Sequence, residues 1–68
     1  MVYLHRLDGE EIALNAMQVE YVHATPDTMA VLTNGHVLVV REPLEVAVRE
    51  IEEALRRVFA RSAYRVDG

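Results

Sequence analysis

The sequence predicts a small α+β domain, a five-stranded antiparallel β-meander or partly open barrel followed by one C-terminal amphipathic α-helix. Three observations predict it. Asp8-Gly9 and Asn34-Gly35 are hairpin dipeptides, each flanked by runs rich in β-branched and aromatic residues. Pro26-Asp27 is a further turn signal between two more such runs. After Pro43, apolar residues recur at helical spacing as far as Phe59.

Residues 2–7 form the first expected strand and residues 10–14 its return, with Ile12 and Leu14 alternating to one face. Asp8-Gly9 between them suits a type I′ turn, which needs φ > 0 at both central positions. Asn15-Ala16 breaks the strand pattern and predicts one short helical or bent turn. Residues 19–25 read as the third strand. Val19 and Tyr21 share one parity and Val22 and Ala24 the other, which a β-bulge would reconcile. Pro26-Asp27 fits the centre of a type I turn before Thr28. Residues 28–33 and 36–41 complete the strands on either side of Asn34-Gly35. Met29 to Leu32 and Val37 to Val40 are continuous apolar runs, and such runs imply burial on both faces of a sheet. One face can take the chain's own helix. The other calls for closure into a barrel or for a neighbouring subunit.

Pro43 opens the helix, expected over residues 43–64, where its missing N–H is harmless. Leu44, Ala47, Val48, Ile51, Leu55, Val58 and Phe59 define the apolar stripe. Glu45 with Arg49, Glu52 with Arg56 and Glu53 with Arg57 stand at i,i+4 in the favourable order. The acids come early and Arg56, Arg57, Arg61 and Arg65 late, which matches the helix dipole.

A chain of 68 residues holds one domain, spanning 1–68, and a small core. There is no cysteine, so neither a disulfide nor a thiolate metal site can supplement that core. A partner chain is the remaining common supplement, and a homo-oligomer is expected. The formal net charge of −4 disfavours nucleic acid, whose binding draws on cationic side chains. No apolar run approaches the ~20 residues of a membrane span, and Arg6 and Asp8 interrupt any leader-like segment. The expected location is the cytosol.

No catalytic machinery is visible. His5, His23 and His36 lie on different strands with no paired ligand spacing, so no metal is expected. The helix carboxylates are accounted for by i,i+4 pairing. No nucleophile elbow and no glycine-rich phosphate loop is present. The expected class is therefore a non-enzymatic binding protein with no cofactor.

Leu4-x-Arg6-Leu7-Asp8-Gly9, Leu14-Asn15, Val19-Glu20-x-Val22, Thr25-Pro26-Asp27-Thr28, Leu32-Thr33-Asn34-Gly35 and Val39-Val40-x-Glu42 follow one another before an amphipathic helix. That succession resembles the FlbD family, which includes the swarming motility protein SwrD. The resemblance implies a small cytosolic accessory factor of flagellar and swarming motility, supporting the motor or its stator through protein–protein contact. It brings no catalytic residues. Its motif positions here are mostly turn and core positions, the turns being Asp8, Gly9, Asn15, Pro26, Asp27, Thr28, Asn34 and Gly35. Asp8 stands where asparagine is common in the family, and His36 follows Gly35 where basic residues are usual.

Two surfaces are candidates for the partner. One is the sheet face of the fourth and fifth strands. The other is the helix face carrying Arg57, Arg61 and Tyr64. The alternative function is a nucleic-acid-binding regulator of motility genes. The segment from Val2 to Glu10 is similar to the opening of CsrA-type RNA-binding regulators, and a dimer would bring Arg6 and Arg41 to one edge. The acidic balance argues against it.

Overall fold

The computed structural model describes the backbone of residues 1–67 and the side chains of residues 1–60. The elements are β1 (Val2–His5), β2 (Glu11–Leu14), β3 (Val19–His23), β4 (Thr28–Leu32), β5 (Val37–Val40) and α1 (Leu44–Asp67). A 3₁₀ turn, Ala16–Gln18, joins β2 to β3. The α+β class holds, and α1 starts one residue later and runs three residues further than residues 43–64.

The strands do not form the single meander that the sequence predicts. β1 and β2 make one antiparallel sheet, and β3, β4 and β5 make a second in that order. Asn15 is the cause. Its side-chain oxygen accepts from the Met17 N–H at 3.0 Å and caps the 3₁₀ turn. A local bond of this kind competes with the ladder, and the turn carries the chain away from the line of β2 before β3 begins. In β3 the expected bulge is present: Val19 pairs with Leu32 and Tyr21 with Val31, leaving Glu20 as the extra residue. Val19 and Val22 thereby both turn inward.

The two dipeptide turns share one geometry, which differs from type I′. In the first, the Gly9 N–H donates to Arg6 O at 2.9 Å and the Arg6 N–H to Glu10 O at 2.8 Å. In the second, the Gly35 N–H donates to Leu32 O at 2.9 Å and the Leu32 N–H to His36 O at 2.9 Å. Gly9 (φ +96°) and Gly35 (φ +90°) have positive φ, whereas Asp8 and Asn34 do not. This is the three-residue hairpin, a type I turn closed by a glycine bulge. Asp8 Oδ1 accepts from the Glu10 N–H at 2.9 Å and Asn34 Oδ1 from the His36 N–H at 3.0 Å. That bond gives the Asx residue its use in the turn without left-handed backbone. Between β3 and β4 the chain makes an open bend in place of the type I turn, with a cis Thr25–Pro26 peptide.

Gly9 carries a second constraint. A Cβ there would lie 3.4 Å from Arg41 Nη1, so the guanidinium at the end of β5 sits over the β1–β2 turn. Gly9→Ala is expected to lose about 1–2 kcal/mol, the cost of a left-handed L-residue. Gly35→Ala meets nothing within 4 Å and should lose only that backbone cost. The Arg41 contact is an ordinary one with a flexible side chain, so thermal unfolding of the two variants side by side should show similar losses.

The core forms where α1 covers β1, the 3₁₀ turn and β3. Val2 and Leu4 point inward from β1, with Ile12, Leu14, Val19 and Val22 packed around them. α1 contributes Ala47, Ile51 and Ala54, one face at i, i+4 and i+7. The expected stripe is thus rotated: Val48 and Phe59 are exposed, and Ala54 takes a core place that the sequence reading did not give it. Among the described residues, four of the eight buried apolar ones are alanine (Ala16, Ala30, Ala47, Ala54). Small side chains let the helix approach closely but bury little apolar area each. The larger apolar residues Tyr3, Tyr21, Val37 and Phe59 remain on the outside.

Candidate protein-contact site

A polar joint holds the two sheets in register. The Arg41 N–H donates to His5 O at 2.8 Å, linking the end of β1 to the segment after β5. Glu42 completes the link from its carboxylate. Its Oε1 accepts from the His5 N–H at 2.9 Å, and its Oε2 lies 2.6 Å from His5 Nδ1. Burial on its own would raise the Glu42 pKa. The hydrogen bond from the His5 ring, helped by the backbone N–H, outweighs burial and holds the carboxyl below its ordinary value. An ionised carboxylate only accepts, so Nδ1 carries the proton. His5 Nε2 faces Glu11 at 3.7 Å. The joint ties the two sheets together at one end but does not pair them into the expected barrel.

The same end gathers Arg6 and Arg41, as the nucleic-acid alternative required, but acids surround them. Arg6 Nε pairs with Glu10 at 3.2 Å, and Glu11 and Glu42 stand at the joint itself. The arginines here serve the hairpin and do not form an open basic patch.

The β3–β4–β5 sheet has two unlike faces. Thr28, Ala30 and Val40 are buried on the inner one. On the outer one, register places Tyr21, Val31 and Val37 in one row and His23, Met29 and Val39 in the next. Tyr21 and His23 stack along the β3 edge with ring centroids 5.8 Å apart. Tyr21 and Val37 are each 51% exposed. The outer face is apolar, as the continuous runs suggest, but the burial on both faces expected from them is not met among the described residues, which leave this face uncovered.

α1 offers the other surface. Its 24 residues extend about 36 Å at 1.5 Å per residue, whereas the buried positions lie between Ala47 and Ala54. The longest dimension of the molecule is 45 Å, and its radius of gyration of 13.0 Å exceeds the ~11 Å of a compact domain this size. Arg56, Arg57 and Phe59 are exposed. None of the three expected i,i+4 pairs closes to an ion pair among the described residues. Solvated pairs gain too little to fix two long side chains. The guanidinium of Arg57 is therefore open to a partner. Arg61 and Tyr64, placed with it by the sequence, lie outside the residues whose side chains are described. Arg56 stands at i,i+3 from Phe59, a cationic and aromatic pair on one face that the sequence reading passed over.

The turn positions hold the scaffold that presents these surfaces. Asp8 with Gly9 and Asn34 with Gly35 shape the hairpins, Asn15 caps the 3₁₀ turn, Pro26 and Asp27 lie in the open bend, and Thr28 starts β4 with its side chain buried. Residues 1–59 match the family of flagellar and swarming motility proteins named FlbD. The chain belongs to the FlbD family. The matched segment contains every turn position, the His5–Glu42 joint, the outer sheet face and Arg57. Arg61 and Tyr64 fall beyond it. No curated protein and no solved structure matches the chain. Membership ties the chain to flagellar and swarming motility. Among the described residues no helix is long and apolar enough to cross a membrane.

Proposed function

We propose that this FlbD-family chain is a non-enzymatic accessory factor of motility, working in the cytosol by docking on the flagellar motor or its stator. The observation that carries the reading is the exposed stretch of α1 at Arg56, Arg57 and Phe59. There Arg57 forms no ion pair among the described residues, and Arg56 and Phe59 share an adjoining face. A guanidinium so placed suits a carboxylate on a partner protein, and an aromatic side chain beside it supplies contact area. The His5–Glu42 joint and the turns tie the sheets together beneath the helix.

Charge reversal tests the surface. Arg57→Glu, alone and with Arg61→Glu, is expected to reduce swarming while circular dichroism and thermal midpoint stay near wild type, because Arg57 is exposed and contributes to no core contact. Full motility in the double variant would contradict the helix face as the docking surface. A nucleic-acid role would show instead as binding that weakens steeply with salt, and its absence at low ionic strength would remove that alternative.

A further inference from the structure

We propose that the outer face of the β3–β4–β5 sheet binds a second copy of this chain, the two sheets packing face to face about a two-fold axis. This deepens the protein-contact reading above by naming one partner, and it uses a surface separate from the Arg57 end of α1.

The face has the composition that self-association of this chain requires. An acidic chain meeting its own copy gains nothing from opposite charge, since both surfaces carry the same sign, and like charges brought together oppose the contact. The two rows, Tyr21, Val31 and Val37 with His23, Met29 and Val39, carry no carboxylate and no guanidinium, and the acid beside them, exposed Glu20 at the bulge, stands at the rim of the face. A partner recognised by charge would be met at the arginine end of α1 instead. The face is also exposed as soon as the chain folds, and its own copy is the one partner always present with it.

Shape agrees with a two-fold contact. β4 is the central strand, so an axis along the strands sets β4 over β4 and β3 over β5 of the other copy. Tyr21 then lies over the smaller Val37, His23 over Val39, and Val31 over its own counterpart. Large side chains oppose small ones, as in the interdigitated core of an aligned sandwich. Removing the half-exposed Tyr21 and Val37 from water supplies the driving force. Six side chains per copy fall short of the ~800 Å² per partner of a standard interface. The dimer is therefore expected to be reversible, with dissociation in the micromolar range.

Sedimentation equilibrium of the purified full chain, from about 5 μM to 500 μM, reads this directly against a micromolar dissociation constant. The expected result is a mass rising from one chain towards two, with a thermal midpoint that climbs with concentration. Val37→Glu and Tyr21→Glu, both at exposed positions of the single chain, should fold with wild-type circular dichroism and stay at one chain throughout. A wild-type mass of one chain at the highest concentration would overturn the proposal. So would a mass above two, or well-folded variants that dimerise like wild type. Arg57→Glu should leave the mass unchanged, so failure of the motor-docking reading and failure of this one remain separate results.

Discussion

Leu4→Ala should bring this domain close to unfolding. Leu4 is fully buried, from the centre of β1, and lies in the cluster that joins both sheets to α1. Truncating a buried leucine costs about 3 kcal/mol, from lost transfer energy and the cavity left behind. At ~0.05–0.15 kcal/mol per residue, a chain of 68 residues has roughly 3–10 kcal/mol in all. Few neighbours can relax into the gap, because Ala16, Ala47 and Ala54 lack the side-chain length to reach across it. Urea titration by circular dichroism measures the loss. An unchanged midpoint would mean that the core lies elsewhere.

Glu42→Ala should cost about 2 kcal/mol, the loss expected when part-buried donors are left without their acceptor. One carboxylate serves both the His5 backbone N–H and its ring nitrogen, so a single substitution leaves two donors unpaired. The effect should depend on pH with a definite sign. The folded-state pKa of Glu42 is depressed, so its contribution is complete above the unfolded carboxylate value, about 4.3, and is lost as pH falls through the lower folded value. Wild type should therefore exceed Glu42→Ala in stability at neutral pH and approach it as pH falls below the depressed folded-state value. A difference that persists undiminished in acid would show that Glu42 acts through packing and not through its charge.

The turns were legible because their chemistry is local. Asp8-Gly9, Asn15 and Asn34-Gly35 each act within two or three residues of themselves, and each does form a turn or a cap. The turn subtype was not legible, since Asx-Gly serves both a type I′ turn and a type I turn with a glycine bulge. The His5–Glu42 joint spans 37 positions, and neither residue announces the other. The Val39-Val40-x-Glu42 string hinted only that a carboxylate belongs just before Pro43. The separation of the two sheets was hidden for a similar reason: strand runs show which segments extend, not which edges meet. The apolar face of the second sheet was readable from the unbroken runs in β4 and β5. The helix stripe was right at Ala47, Ile51 and Leu55 and wrong at its edges, where strongly apolar Val48 and Phe59 are exposed and weakly apolar Ala54 is buried.

Family membership links the chain to motility, and the proposed docking on the motor rests on the exposed Arg56, Arg57 and Phe59 of α1. The most direct measurement is a clean deletion of the gene, scoring swarming together with filaments per cell. Normal filament number with weakened swarming, restored by wild-type protein and not by the Arg57→Glu, Arg61→Glu variant, is the predicted result. Loss of filaments would contradict docking on an assembled motor and move the chain to assembly or gene expression. Unchanged swarming would contradict a motility role for this chain altogether.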